Sequence, residues 1–152
     1  MYLTTEHLCL RPFADADAKA ALVWLGDEKV MRYIEPPFDL AKARKFITDC
    51  AHLVYCLCEK ETDIPVGHII WHPYMGDVTR YELGWILASR YHGRGYAHEI
   101  SRALIEYAKG QGIDRIILET VPENADSIRL IERLEAQYTG NEEGLLVYEI
   151  RL

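Results

Sequence analysis

Arg90-Tyr91-His92-Gly93-Arg94-Gly95 is the segment whose residue types and spacing point most directly to chemistry. It stands between a predicted strand and a predicted long helix. The first backbone N–H groups of a helix lack internal partners, and the helix dipole adds partial positive charge at that end. Gly93 and Gly95 remove side chains that would keep an anion from the backbone. Arg94 and Arg90 add charge-assisted donors. The chemistry is capture of a phosphate group. A P-loop requires a Lys-Ser/Thr pair after its glycines, and none follows here. The dinucleotide fingerprint requires three glycines after a first strand, whereas this turn follows a fourth predicted strand.

Other reactive side chains carry less. His68, His72, His92 and His98 do not show the ligand spacing of a zinc site. Cys56-Leu57-Cys58 places two thiols on one face of a predicted strand, but no second pair or suitably spaced histidine follows. No metal site is expected. Trp71, Trp85 and Tyr74 read as core or pocket wall rather than a stacking platform for bases.

The elements that must position the turn can be read from periodicity. Glu6 to Phe13 alternates as a first strand. Asp15 or Asp17 can cap a helix carrying Ala18, Ala21, Leu22 and Leu25, which Gly26 stops. A short helix around Lys29 to Tyr33 precedes the breaking Pro36-Pro37, and Asp39 caps the next helix. Leu53 to Glu59, Val66 to His72 and Arg80 to Ala88 form a meander. A helix from Gly93 to Gly110, a buried strand at Ile116-Ile117-Leu118, a helix from Ala125 to Leu134 and a final hairpin complete the order. A strand that leads through a helix to the next strand makes the two parallel neighbours. The expected fold class is mixed α/β, with a mainly antiparallel sheet and one parallel crossover pair.

The 152 residues suit one domain, 1–152. The N-terminus has no signal-peptide pattern, and no run approaches the roughly 20 apolar residues that span a bilayer. The expected location is cytoplasmic, without a membrane partner. A net charge of −7 argues against a nucleic-acid coat protein. It is compatible with attraction of a cationic substrate.

The strand, the Arg-x-x-Gly-x-Gly turn and the helix together resemble the acetyl-CoA motif of the GNAT family of N-acetyltransferases. The flanking residues extend the resemblance across almost the whole chain. Thr5 to Phe13 looks like the opening strand of the branch related to ribosomal-protein alanine N-acetyltransferases. Glu82-Leu83-Gly84-Trp85 resembles that branch's fourth strand, and Gly93 to Glu99 its helix start. Glu123-Asn124-Ala125-Asp126-Ser127 resembles its Asn-x-x-Ser segment. One departure is Leu134-Glu135-Ala136, where family members usually carry a glycine turn. The loops on the substrate side are also compact for that branch.

The resemblance implies a GNAT-like acyl-CoA N-acyltransferase fold, in which the fourth and fifth strands splay and acetyl-CoA lies between them. It implies that the backbone of Ile86, Leu87 and Ala88 pairs with the pantetheine arm. The N–H groups of His92, Gly93, Arg94, Gly95, Tyr96 and Ala97 would hold the pyrophosphate, with Asn124 and Ser127 near the thiol. A backbone N–H near Leu87 would polarise the thioester carbonyl. The reaction would be direct transfer of the acetyl group to a primary amine of a small molecule or a protein N-terminus, by a monomer or homodimer and without a metal. Glu82 is the candidate base, or a solvated strand-edge carboxylate. Ser127 either protonates the leaving thiolate, with Tyr138 and Tyr148 behind it, or bonds its own helix start. The alternative is a non-catalytic acetyl-CoA-binding regulatory module.

Overall fold

Local chemistry accounts for most elements of the computed structural model, which describes residues 1–152. Strand β1 is Leu3–Thr4 and β2 is Leu8–Arg11. Helix α1 spans Asp17–Leu25, α2 Glu28–Met31 and α3 Leu40–Asp49. Strands β3 (Val54–Glu59), β4 (Pro65–Tyr74) and β5 (Asp77–Leu87) follow. A single 3-10 turn, Ser89–Tyr91, leads to α4 (Tyr96–Lys109). Then come β6 (Arg115–Thr120), α5 (Ala125–Arg133), β7 (Gln137–Glu142) and β8 (Leu145–Arg151).

The strands form one eight-stranded sheet in the order β1-β2-β3-β4-β5-β6-β8-β7. The parallel pair expected from the crossover is present, with Arg80 opposite Arg115, Tyr81 opposite Ile116 and Glu82 opposite Ile117. The pairs β1–β2, β2–β3, β3–β4, β6–β8 and β7–β8 are antiparallel. The mixed, mainly antiparallel α/β class is therefore the observed one.

The residues fall into two compact units. The first comprises Met1–Ile70 and Trp85–Tyr96. Its buried apolar residues include Leu8, Leu10, Trp24, Leu25, Leu57 and Ile69. Gly67 is required here by close approach. A Cβ at that position would lie 2.3 Å from the Ile86 carbonyl oxygen and 2.8 Å from Leu87 Cα. The missing side chain lets the end of β5 sit against β4, and the Ala88 N–H donates to the Val66 carbonyl at 2.9 Å.

The second unit comprises Trp71–Gly84 and Ala97–Leu152. Helix α4 buries Ile100, Leu104, Ile105 and Ala108, one stripe at helical spacing. Ile116, Ile117 and Leu118 are all buried, as a strand covered on both faces requires. Each such side chain contributes about 1.5–3 kcal/mol on burial.

Several boundaries differ from the sequence expectation. The first strand is shorter than Glu6 to Phe13, and the two-residue β1 precedes it, so the expected fourth strand is β5. Neither Asp15 nor Asp17 caps α1. Ala16 holds the N-cap position without a side-chain bond. The Asp17 carboxylate instead grips Arg11 through contacts of 2.8 and 3.1 Å and accepts the Ala14 N–H at 2.7 Å. A bidentate pair with a buried carboxylate outcompetes the cap. Helix α4 begins at Tyr96 rather than Gly93, because Gly93 and Gly95 both take positive φ. Asp39 caps α3 as expected, accepting the Lys42 N–H at 2.8 Å.

Candidate active site

The phosphate-type turn belongs to the first unit and is built from the end of β5 onward. Its fixed point is Tyr91, which is buried. The Arg90 and Arg94 guanidinium groups lie 4.9 and 5.2 Å from its ring centroid. Tyr96 stacks on the same ring at 6.0 Å. Gly93 takes φ +74° and Gly95 φ +80°, and a Cβ at either would meet nothing within 4 Å. These glycines serve the backbone path rather than tight packing. They leave the front of the turn bare where the N-terminus of α4 begins.

The expected donors do not all remain open to a ligand. The His92 N–H donates to the Ser89 carbonyl at 3.1 Å, and the Ala88 N–H to Val66. The Ala88 carbonyl also accepts the Tyr91 N–H at 2.9 Å. The His92 and Ala88 N–H groups are thus already committed within the chain, and Ile86, two residues before Ala88 on β5, turns its carbonyl toward Gly67 of β4. His92 contributes differently. Its Nε2 lies 2.8 Å from the Leu87 carbonyl and pins the strand end. A carbonyl only accepts, so Nε2 carries the proton there.

In the second unit, Glu82 lies on β5 with its side chain 25% exposed. Its Oε2 stands 3.3 Å from His72 Nε2 on β4. His72 Nδ1 lies 3.0 Å from the Pro73 carbonyl, so Nδ1 is a donor. Burial raises the Glu82 carboxyl, His72 opposes this, and Glu119 adds to it. Glu119 itself accepts the Tyr74 hydroxyl at 2.7 Å, which pushes that phenol up to about 12. Sequence reading named His72 only as a metal candidate. Its place opposite Glu82 depends on strand pairing and had no local signal.

His68 has a different occupation. It is 1% exposed, and the Trp24 indole N–H donates to its Nδ1 at 2.8 Å. Burial pushes its pKa down to about 3. It is a neutral core histidine.

Asn124 is the N-cap of α5, and its side chain accepts the Ser127 N–H at 3.2 Å. The bond fixes the first turn of α5 and places Ser127 half-buried on it. Tyr138 and Tyr148, the other candidate proton donors, meet edge to face at 5.5 Å. Burial raises the Tyr148 phenol, while Tyr138 is 57% exposed.

The sequence profile of the Acetyltransferase (GNAT) domain matches residues 7–137. The chain belongs to the GNAT family. The uncharacterized N-acetyltransferase YnaD of Bacillus subtilis (strain 168) is 34% identical over 146 residues, covering 92% of this chain and 85% of YnaD. The uncharacterized N-acetyltransferase p20 of Bacillus licheniformis is 31% identical, covering 91% and 83%. A GNAT-family acetyltransferase structure from Bacillus anthracis superposes with TM-score 0.92 at 29% identity, covering 99% and 98%. This GNAT chain is an acetyl-CoA-dependent N-acetyltransferase with the GNAT fold. None of its helices is long and apolar enough to cross a membrane.

Proposed function

We propose that residues 1–152 act as one acetyltransferase domain that moves the acetyl group of acetyl-CoA directly onto a primary amine of a small molecule or a protein N-terminus. The carrying observation is the half-buried Glu82 carboxylate 3.3 Å from His72 Nε2. An amine is an ammonium ion at neutral pH and cannot attack until it loses a proton. A carboxyl raised by burial and coupled to an imidazole is suited to accept that proton. The amine nitrogen then forms a bond to the thioester carbon, and the C–S bond breaks.

The remaining roles follow the donor's chemistry. The N–H groups from Gly93 to Ala97 hold the pyrophosphate, aided by Arg94. Ile86 and Leu87 offer backbone to the pantetheine arm, with the strand end pinned by His92. A backbone N–H near Leu87 polarises the carbonyl as negative charge develops. Ser127 gives the thiolate its proton, and Asn124 keeps Ser127 in place. The reaction needs no metal, and the acidic chain has no need of a nucleic-acid partner.

A thiol-release screen across amines, polyamines, amino acids and N-terminal peptides identifies the acceptor. Turnover of at least one class, slowed about 100-fold by Glu82→Gln, supports the proposal. Acetyl-CoA binding without thiol release from any class favours a regulatory module instead.

A further inference from the structure

One face of the first unit carries a thiol cluster that acetyl transfer does not use. In the β2–β3 register Cys9 stands opposite Cys58, and Arg11 opposite Cys56. Paired residues share a face, as do residues two apart on a strand. All four side chains therefore meet on one side. The β3–β4 register shifts between Leu57 and Cys58, an irregularity that re-aims a side chain. The turn after β3 then brings Asp63 back over the strands. Its Oδ1 lies 3.7 Å from Cys9 Sγ and 2.9 Å from Arg11 Nε.

We propose that Cys9, Cys58 and Asp63 form a binding site for a thiophilic divalent cation of the zinc class. One donor atom from each of the three lies within 4.8 Å of the others. Donors about 2.3 Å from a common tetrahedral centre are roughly 3.8 Å apart, so closure takes only small side-chain adjustments. Cys56 Sγ lies 3.6 Å from Cys58 Sγ but outside this group, so the fourth position of a tetrahedral centre falls to a solvent molecule. Two thiolates and a carboxylate carry three negative charges. A divalent cation and the Arg11 guanidinium balance them, and binding releases the two thiol protons to solvent. Arg11, hydrogen-bonded to Asp63, acts as the outer partner that orients a ligating carboxylate. Cys56 and Cys58 are buried, while Cys9 is half-buried and Asp63 exposed, which leaves a route for the ion. The site revises the expectation drawn from Cys56 and Cys58 alone. The missing ligands come from another strand and from a turn.

The test uses the full chain, reduced, stripped with a chelator and titrated with Co²⁺ and then Zn²⁺. The expected result is one equivalent of Co²⁺ with a near-ultraviolet thiolate-to-cobalt charge-transfer band, lost as Zn²⁺ displaces it. Cys9→Ser and Asp63→Asn, both at accessible positions, each weaken Co²⁺ binding at least tenfold, and Cys50→Ser leaves it unchanged. Absence of the band in the wild-type chain overturns the proposal. So does an undiminished band in both variants, or a cross-strand disulfide that forms in place of metal binding.

Discussion

His72 Nε2 and Glu82 Oε2 are 3.3 Å apart, and the Pro73 carbonyl engages the other ring nitrogen of His72. A second carboxylate, Glu119, acts on Glu82 and raises it. The proton affinity of Glu82 is therefore set first by burial, which raises it, and then by two neighbours of opposite effect.

The pH dependence of kcat/KM follows from those signs. A base must be deprotonated, so the rate rises with pH through a value above the ordinary range for glutamate. His72→Gln removes the neighbour that lowers the Glu82 carboxyl, and the acid limb moves to higher pH. Glu119→Gln removes the neighbour that raises it, and the limb moves to lower pH. Profiles of the three proteins that coincide would remove Glu82 from the proton path.

The same raised carboxyl has a stability consequence. A folded-state value above the unfolded one contributes stability at low pH that is lost as pH rises through the folded value. Above that folded value the ionised, half-buried Glu82 is a cost. Glu82→Gln should raise Tm at pH 7 by a few degrees, about 2–4 °C for each kcal/mol in a chain of this size, while it slows turnover. A lower Tm would show that the His72 contact outweighs the burial.

How much of this was legible in the sequence depends on the range of each interaction. The glycine turn, the Asp39 cap and the long helix after the turn are local patterns, and each was readable. The parallel pairing of β5 with β6 followed from the order of elements. Asp17 misled because a contact with Arg11, on another element, displaced the local capping role. Neither the His72–Glu82 pair nor the grouping of Cys9 with Cys58 and Asp63 has a local signature. Both depend on strand register, which alternation alone does not specify.

His68 gives the fold an acid-sensitive point. Its pKa is pushed down from 6.5 to about 3 by burial. A depressed histidine contributes stability above its unfolded value, and that contribution falls away as pH drops toward the folded value. Unfolding free energy should decline by about 1.4 kcal/mol per pH unit from this group within that window. His68→Gln keeps an acceptor for the Trp24 indole and should flatten the slope by one proton. Denaturant titrations across the window measure it, and parallel slopes would contradict the assignment.

Glu135 occupies a glycine's place. Its φ is +63°, and the turn around it has the bonds of a Schellman cap. The Glu135 N–H donates to Glu132 and the Ala136 N–H to Ile131. The left-handed conformation costs an L residue about 1–2 kcal/mol. Glu135→Gly should therefore raise Tm by several degrees without altering activity. A lower Tm would mean that the Glu135 side chain supports the turn in some other way.

The most direct test of the acetyl-CoA site is calorimetric titration of the wild-type chain and Gly93→Ala. A Cβ at Gly93 meets nothing within the protein, and on the proposed placement it stands where the pyrophosphate approaches the backbone. Wild type should bind acetyl-CoA with Kd well below 1 mM, more favourably than about −4 kcal/mol. Gly93→Ala should bind at least tenfold more weakly while remaining folded. Equal affinity in the two proteins, or no binding by wild type at 1 mM, would contradict the placement of the cofactor on this turn.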